Sequence, residues 1–413
     1  MGTTVFHNAN ILDCTGRDPY PGTVVVTGNR IEAGGPADLV STPRDATSID
    51  LEGMTLMPGL IDVHTHLGMV VADETVSVEN QYPGATYALY VAQRIEECLM
   101  SGFTTVRDAG MTDWSFKLAV ERGLIPGPRM FVSNAFISQT GGHGDLRHRH
   151  DRSLAHPSHR LMPWPAICDG EDQVRHMVRE QLRTGADQIK VMAGGGVMSP
   201  TDAVDVPQFT VEELAAAVYE AKAVKKYVMA HVFTPEGISN CAQAGVASVE
   251  HGTFLDEESA AMMRQHHMYL VPTLSIVRLI SQRVERGELP DFVAEKLLLV
   301  RDSAPEAVRI ALEAGVAIAS GSDVYGPAAP NRGGEIELKA EIMGPMAAVI
   351  SATRTNAQLL GMQDHLGTLE AGKIADMIAV NGDPLQDVSL LKDAAKVKLV
   401  VQAGQVVKDG NGA

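Results

Sequence analysis

His64 and His66 lie two residues apart, at the end of an apolar run that begins at Met54. Such a run predicts a buried strand, in which side chains at positions i and i+2 point to the same face. Two neutral imidazoles that project together suit a divalent transition metal such as Zn²⁺. Two packed core histidines are the alternative, so the rest of the chain must supply further ligands.

Polar residues also occur at the ends of other predicted strands. They are Asp108 after 104–107, Lys190 within 188–193, His231 in 227–232, His251 after 246–249 and Asp323 after 316–320. Taken singly, a strand histidine is usually a hydrogen-bonded core residue, a strand lysine extends its amine to solvent, and such an aspartate caps a helix. Their joint placement at strand ends favours one shared site.

Lys190 stands out because its strand, Gln188-Ile-Lys-Val-Met, is otherwise apolar apart from its first residue. A buried ammonium beside metal cations tends to lose its proton. A neutral amine can react with CO₂ to form a carbamate, which is an anionic oxygen ligand able to bridge two metal ions. Lys190 is therefore a candidate bridging ligand.

Strand-like and helix-like stretches alternate through the centre of the chain. The strands are predicted at 54–66, 104–107, 129–133, 188–193, 227–232, 246–249, 269–276 and 316–320, with helices such as Tyr87–Met100, Asp172–Arg183, Thr210–Lys225 and Asp256–His267 between them. Thr210-Val-Glu-Glu213 has the form of a capping box. Eight alternating units predict a parallel sheet closed into a (β/α)₈ barrel, whose chemistry sits at the carboxyl ends of the strands. A doubly wound open sheet is the alternative, disfavoured because no G-x-G-x-x-G motif follows the first strand.

Both ends of the chain contain short strands separated by turn signals, and neither end has enough apolar area to fold alone. We therefore predict a composite β-sandwich from residues 1–57 and 362–413, beside a barrel at 58–361.

The composition and charge of the chain make several classes of protein unsuitable. The chain has 413 residues, of which 45% are hydrophobic and 21% charged, as in an ordinary globular protein. A net charge of −17 makes nucleic acid an unsuitable partner. No apolar run reaches the ~18 residues of a membrane span, no secretory signal is visible, and the four cysteines show no C-x-x-C spacing. We expect a cytoplasmic protein with reduced thiols, assembled as a homo-oligomer without a membrane partner.

Several of these stretches together resemble the amidohydrolase superfamily, in particular the binuclear-metal branch of Xaa-Pro dipeptidases, acyl-amino-acid carboxypeptidases and ochratoxin hydrolases. The matching pieces are Pro58-Gly-Leu-Ile-Asp-Val-His-Thr-His66, Gly102-Phe-Thr-Thr-Val-Arg-Asp108, Gln139-Thr-Gly-Gly-His-Gly-Asp145, Ile189-Lys-Val, Ala230-His231, Glu250-His-Gly252, Gly321-Ser-Asp323 and Leu366-Gly-Thr-Leu-Glu-Ala-Gly-Lys-Ile-Ala-Asp376. The resemblance covers nearly the whole chain, and the stretch at 139–145 points to the dipeptidase-like branch.

The resemblance implies a role for each candidate. His64, His66 and Asp323 would bind one divalent ion, His231 and His251 a second, and carboxylated Lys190 would bridge them, with zinc the expected metal. A bridging water or hydroxide would attack the amide carbonyl. Asp323 would act as general base and then acid, and His143 would reach the substrate from its glycine-rich loop.

One position departs from the pattern. Relatives commonly carry a tyrosine two residues after the histidine of the fifth strand, aimed at the substrate carboxylate or the oxyanion. Here the residue is Phe233, which cannot donate a hydrogen bond. Either another donor substitutes, or the preferred substrate carries a more apolar group there.

Two segments are candidates for the rim of the site. The loop at 140–164 is long enough to be functional, and its stretch Arg147-His-Arg-His-Asp-Arg152 either holds a substrate carboxylate or is a solvated loop or subunit contact. Arg332, in Arg332-Gly-Gly-Glu335 after the eighth strand, is the second candidate.

We therefore predict a two-metal amidohydrolase that cleaves the amide bond of N-acyl amino acids or dipeptides. A cyclic-amide or ester hydrolase with the same site is an alternative. A catalytically silent scaffold is another, and its mark in the sequence would be lost metal ligands, of which none is lost here.

Overall fold

The computed structural model describes residues 2–70, 82–147, 150 and 161–410 of the chain. Strands from both ends of the chain pair in one sheet. The strands are β1 (Thr3–Ile11), β2 (Tyr20–Thr27), β3 (Arg30–Pro36), β4 (Thr47–Asp50), β5 (Thr55–Pro58), β16 (Met377–Val380), β17 (Val397–Gln402) and β18 (Gln405–Asp409). Their order is β18-β17-β16-β5-β1-β2-β3, with β4 beside β1. The antiparallel pairing of β16 with β5 joins the two ends.

The central strands pair in parallel. They are β6 (Leu60–Thr65), β7 (Phe103–Asp108), β8 (Arg129–Val132), β9 (Ile137–Ser138), β10 (Ala166–Ile167), β11 (Ile189–Met192), β12 (Val228–Val232), β13 (Ser248–His251), β14 (Tyr269–Val271) and β15 (Ala317–Ile318). They form one sheet in the order β6-β7-β8 and another in the order β10-β9-β11-β12-β13-β14-β15. Backbone hydrogen bonds connect the three-stranded sheet to the other sheet at both of its edges. At the β6 edge Val63 N donates to Ser320 O (3.0 Å), and at the β8 edge Val132 O accepts from Asp187 N (2.7 Å).

Helices lie between most of the central strands, although none of the described helices lies between β8, β9 and β10, and such crossover connections make the parallel pairing possible. The α-helices are α1 (Gly84–Met100), α2 (Trp114–Glu121), α3 (Glu171–Arg183), α4 (Val211–Ala223), α5 (Pro235–Ala244), α6 (Glu257–Gln265), α7 (Leu274–Glu285), α8 (Asp291–Val300), α9 (Ser303–Glu313), α10 (Gly334–Met343), α11 (Pro345–Ile350) and α12 (Asn356–Leu359). Short 3₁₀ turns lie at Gly326–Asn331 and Val388–Leu391, and a π turn at Ser351–Thr355. The predicted capping box is confirmed, because Thr210 and Glu213 cap α4 reciprocally. None of the helices in the described ranges is long and apolar enough to cross a membrane.

Two strand predictions were wrong in their bounds. The apolar run at 54–66 is two strands, since β5 ends at Pro58 in the terminal sheet and β6 begins at Leu60 in the parallel sheet. Gly59 joins them, and a Cβ there would lie 2.1 Å from Thr104 Oγ1, so only glycine fits this crossing. The strand expected at 269–276 ends at Val271, because the chain turns into α7 three residues later.

The four cysteines are free and buried. The central parallel strands are buried, and His64, His231 and His251 lie at or near the carboxyl ends of β6, β12 and β13, while Lys190 is the second residue of β11. The fold thus gathers residues that are far apart in sequence at one edge.

Candidate metal centre

His64 is fixed by a fully buried polar network. Its Nδ1 lies 2.7 Å from Glu250 Oε2, and because a carboxylate only accepts, the ring donates this bond. Arg107 Nη2 donates to the other oxygen of Glu250 at 2.8 Å, and Ser248 Oγ donates to it at 2.6 Å. The exposed fraction of Glu250 is 0%. The network therefore leaves His64 Nε2 as the nitrogen with a free lone pair.

The other three imidazoles are held in the same manner. His66 Nδ1 donates to Gly110 O (3.0 Å), and His231 Nε2 donates to Gly195 O (3.0 Å). His251 Nδ1 forms a hydrogen bond of 2.6 Å with Thr273 Oγ1. In each ring one nitrogen is bonded to the surrounding protein, and the other is left for a ligand at the centre. A metal-binding histidine is normally oriented in this way.

Asp323 lies among these rings. Its Oδ1 is 3.3 Å from His66 Nε2 and 3.6 Å from His64 Nε2. Burial alone would raise the pKa of Asp323, but the facing imidazoles outweigh it and hold that pKa well below its usual range. The contact with Asp323 raises the pKa of His66 in spite of burial. Asp323 is therefore an ionised oxygen donor at neutral pH.

Three residues of this centre adopt left-handed backbone conformations that side chains other than glycine rarely take. The φ angles are +72° at His251, +52° at Thr273 and +55° at Asp323. Such conformations cost about 1–3 kcal/mol each and persist where the surrounding structure determines them, often at functional sites. Here they occur at two candidate ligands, His251 and Asp323, and at Thr273, which holds His251.

Lys190 is buried on β11 beside the imidazoles, with an exposed fraction of 1%. Its Nζ lies 3.5 Å from His64 Nε2. Burial lowers the pKa of Lys190 to about 8, although the carboxylates of Glu250 and Asp323 act in the opposite direction. A neutral amine is thus accessible near physiological pH, as the proposed reaction with CO₂ requires.

The donor set fits divalent metal ions. Ligand atoms of His64, His251 and Asp323 all lie within 4.8 Å of one another. Burial lowers the pKa of His251 to about 4, and it also holds the pKa values of His64 and His231 well below their usual range. Neutral imidazoles with one nitrogen free, beside an ionised carboxylate, are suitable ligands for zinc or a related ion.

The centre opens into a cavity of about 130 Å³ whose wall is mostly apolar. Lining side chains include Met111, Phe136, Met162, Trp164, Phe233 and Ile280. Phe233 packs against His231, with ring centroids 4.9 Å apart, and against His251 at 5.5 Å. The position that departs from the family pattern therefore lies in the cavity, next to two of the candidate ligands.

His143 also lines this cavity, in the loop that follows β9. Its ring stacks on His231 with centroids 4.4 Å apart and an interplanar angle of 26°. Its Nδ1 lies 2.8 Å from Ser199 Oγ. Burial lowers the pKa of His143 to about 4. The structure thus brings His143 to the metal centre without placing it among the metal donors.

The two rim candidates have different positions. Arg332 is buried away from the cavity, where its Nη1 lies 3.4 Å from Asp62 Oδ2 and its guanidinium covers the ring of Phe103 at 5.7 Å. Arg332 is therefore not placed to contact a substrate. Arg147 forms an ion pair with Asp145 (2.6 Å), and most of the charged stretch that follows it lies outside the described residues.

Sequence reasoning missed the residues that orient the ligands. Glu250 and Thr273 hold His64 and His251, and Arg107 of β7 neutralises Glu250 of β13. Glu250 stands directly before His251 in the sequence, and a carboxylate in a buried strand was a signal that could have identified it. No local pattern marks Thr273.

The chain is similar in sequence and in fold to several known proteins. The model of the amidohydrolase family matches residues 55–407. The ochratoxinase of Aspergillus niger is 32% identical over 410 residues, which are 95% of this chain and 84% of that protein. The solved structure of a prolidase complexed with N-methylphosphonate-L-proline superposes with a TM-score of 0.93 at 38% identity, covering 98% of this chain and 100% of that one. A Xaa-Pro dipeptidase with methionine bound in its active site has a TM-score of 0.89 at 32% identity, with 98% and 100% covered.

Proposed function

The chain belongs to the amidohydrolase family, and from this premise we propose that it hydrolyses the amide bond of N-acyl amino acids or dipeptides with two divalent metal ions. We interpret the central strands as a (β/α)₈ barrel over 58–361, and 1–57 with 362–413 as a β-sandwich. The prolidase, the dipeptidase and the ochratoxinase among its relatives support this class of substrate.

The observation that carries the proposal is the orientation of four imidazoles. Each ring has one nitrogen bonded to the surrounding protein. In the proposed assignment His64, His66 and Asp323 would hold one ion, His231 and His251 would hold the other, and carboxylated Lys190 would be a ligand shared by both. Two divalent ions held there would supply Lewis-acid polarisation of the amide carbonyl and acidification of the attacking water.

The chain itself moves the protons. Asp323 accepts a proton from the attacking water, since its carboxylate is ionised and opens toward the cavity. As the new C–O bond forms and the C–N bond breaks, Asp323 delivers that proton to the amine nitrogen. His143, which lines the cavity and stacks on His231, contacts the substrate from its loop.

The cavity wall selects the substrate. Its methionine, phenylalanine and tryptophan side chains bury apolar groups, and each buried CH₂ contributes about 0.8 kcal/mol. Phe233 adds apolar surface where relatives commonly have a hydroxyl. We therefore infer a preference for bulky apolar or aromatic substituents beside the scissile amide.

The test is a hydrolysis screen of the zinc- and bicarbonate-loaded enzyme over dipeptides and N-acyl amino acids that differ in side-chain size. Amide cleavage that rises with apolar size is expected, together with close to two metal ions per chain by elemental analysis. Asp323→Asn is the control for contaminating activity.

Three results would contradict the proposal. Cleavage confined to esters or cyclic amides would favour the alternative hydrolase. Two bound metal ions without any hydrolysis would favour a silent scaffold. Finding no metal after reconstitution would refute the binuclear centre.

A further inference from the structure

Helix α7 begins without the cap that its own sequence offers. Thr273 stands at the N-cap position, where a threonine side chain ordinarily accepts a hydrogen bond from one of the first free amides of the helix. Its hydroxyl is instead bonded to Nδ1 of His251 at 2.6 Å, and it makes no side-chain cap bond. The backbone of Thr273 is also left-handed (φ +52°, ψ +45°), whereas an N-cap residue is normally extended. Thr273 therefore holds His251 and does not cap the helix.

A residue of another helix supplies the acceptor that α7 lacks. Glu335 is the second residue of α10, and its Oε2 accepts from the backbone amide of Ser275 at 2.8 Å. Ser275 is the second residue of α7, so its amide is one of those that an N-cap side chain normally bonds. The exposed fraction of Glu335 is 1%, so the bond is shielded from water. Glu335 thus caps α7 from outside that helix.

Glu335 is held in place by its own helix. Lys339, about one turn further along α10 and fully buried, donates from Nζ to Ala319 O (3.0 Å) and to Ser351 Oγ (2.6 Å). Ala319 directly follows β15, on the segment that leads to the candidate ligand Asp323. Burial raises the pKa of Glu335, and the ammonium of Lys339 opposes that rise. The helix that carries the capping carboxylate is therefore fixed to the strand end beside the metal centre.

We propose that Glu335 is a positioning residue for the metal centre, because it caps α7 in place of Thr273 and so leaves the Thr273 hydroxyl to hold His251. Without this acceptor, the unbonded amide of Ser275 would favour the extended backbone of an ordinary N-cap at Thr273, with the hydroxyl bonded to the helix. His251 Nδ1 would then lose its partner. The assignment rests on the proposed function, since it takes His251 to bind a metal ion. A cap that only stabilised α7 would contribute to folding and leave zinc affinity unchanged.

Two substitutions separate the reach of the Glu335 side chain from its charge. Glu335→Gln keeps an acceptor oxygen at the same reach and removes the charge that faces Lys339. Glu335→Asp keeps the charge and withdraws the oxygen by one CH₂ group. Zinc affinity is measured by competition with a chromophoric chelator. We expect Glu335→Asp to weaken zinc binding by about 10-fold, the lower end of the loss when a residue that orients a ligand is changed, and Glu335→Gln to bind zinc as the unchanged protein does.

A double-variant cycle with Thr273→Val tests whether Glu335 acts through Thr273. Thr273→Val keeps the branched shape and removes the hydroxyl, so by itself it should weaken zinc binding by about 10- to 100-fold. In that variant Glu335→Asp should cause no further loss, because the hydroxyl through which Glu335 acts is gone. Glu337→Ala is the matched control, since it removes from α10 a carboxylate that bonds Lys392 (3.2 Å), and it should leave zinc affinity unchanged.

Unchanged zinc affinity in Glu335→Asp, or an equal loss with and without the Thr273 hydroxyl, would overturn the proposal. A loss of about 10-fold in Glu335→Gln would also overturn it, and this comparison decides if Glu335→Asp does not fold. Zinc binding is measured without a substrate, so the result does not depend on which amide is cleaved. An unchanged protein that binds no zinc would refute the proposed function together with this inference, whereas variants that bind zinc as it does would refute the role of Glu335 alone.

Discussion

Glu250→Gln should weaken metal binding without removing a metal ligand. The carboxylate bonds His64 Nδ1 at 2.7 Å and Arg107 Nη2 at 2.8 Å, and both it and Arg107 are fully buried. Glutamine has nearly the same shape but only one acceptor oxygen, so one of these two donors must face an NH₂ group. Loss of such a partner typically weakens metal affinity by about 10- to 100-fold.

The same variant should also lose stability. Removing one partner of a buried ion pair typically costs about 3–5 kcal/mol, because the remaining charge is left uncompensated. Here that charge is the guanidinium of Arg107. Zinc affinity is measured by competition with a chromophoric chelator, and stability by urea unfolding of the metal-free protein. Because the unfolding is measured without metal, it reports the loss of stability separately from the loss of zinc affinity.

Ser248→Ala is the matched control, since it removes a hydroxyl that donates to Glu250 and leaves the charges in place. We expect it to cost about 1 kcal/mol of stability, with little change in zinc affinity. If Glu250→Gln bound zinc as tightly as the unchanged protein, the strand alone would hold the His64 ring, and the reasoning about its orientation would be refuted.

Four further predictions concern the centre, its cavity and the thiols. Lys190→Ala should lose metal and activity together, and short carboxylic acids should partly rescue both; full activity would show that Lys190 is only a core lysine. Asp323→Asn should lower turnover by about 10²- to 10⁴-fold, while the metal content measured by elemental analysis falls much less. Near-normal turnover would show that another residue is the general base. Phe233→Tyr should raise kcat/KM for an N-acyl amino acid relative to its amide by about tenfold, if a hydroxyl there binds the carboxylate; equal changes on both would mean a packing change only. Because burial raises the pKa of all four thiols, iodoacetamide at pH 8 should label them in urea and not in the native protein, as mass spectrometry would show.

The sequence was sufficient to identify the ligand candidates because their chemistry conflicts with their surroundings. Histidine and lysine side chains inside apolar strands need a partner, and the alternation of strands with helices brings strand ends to one edge. In the structure His64, Lys190, His231 and Asp323 line one cavity. The family resemblance is likewise confirmed by the match over residues 55–407.

Other features could not be predicted because they depend on contacts between distant segments. The run at 54–66 is apolar throughout, so hydrophobicity does not reveal that the chain changes sheets at Gly59. Arg332 follows the eighth strand, as a rim residue would, but its partner Asp62 is on the first central strand. Only the three-dimensional structure shows that Arg332 neutralises the buried carboxylate of Asp62.

Each of the four imidazoles is oriented by a residue from another strand or from the turn after it. Glu250 of β13 holds His64 of β6, Thr273 after β14 holds His251, and Gly110 after β7 accepts from His66. A change in one strand end therefore disturbs the ligand on another, and the centre acts as one coupled unit. Mutations within such a network do not add independently. The loss of zinc affinity in a double variant, Glu250→Gln with a substitution of Thr273, should therefore differ from the sum of the losses in the two single variants. We expect this although the two residues lie on different strand ends and hold different imidazoles.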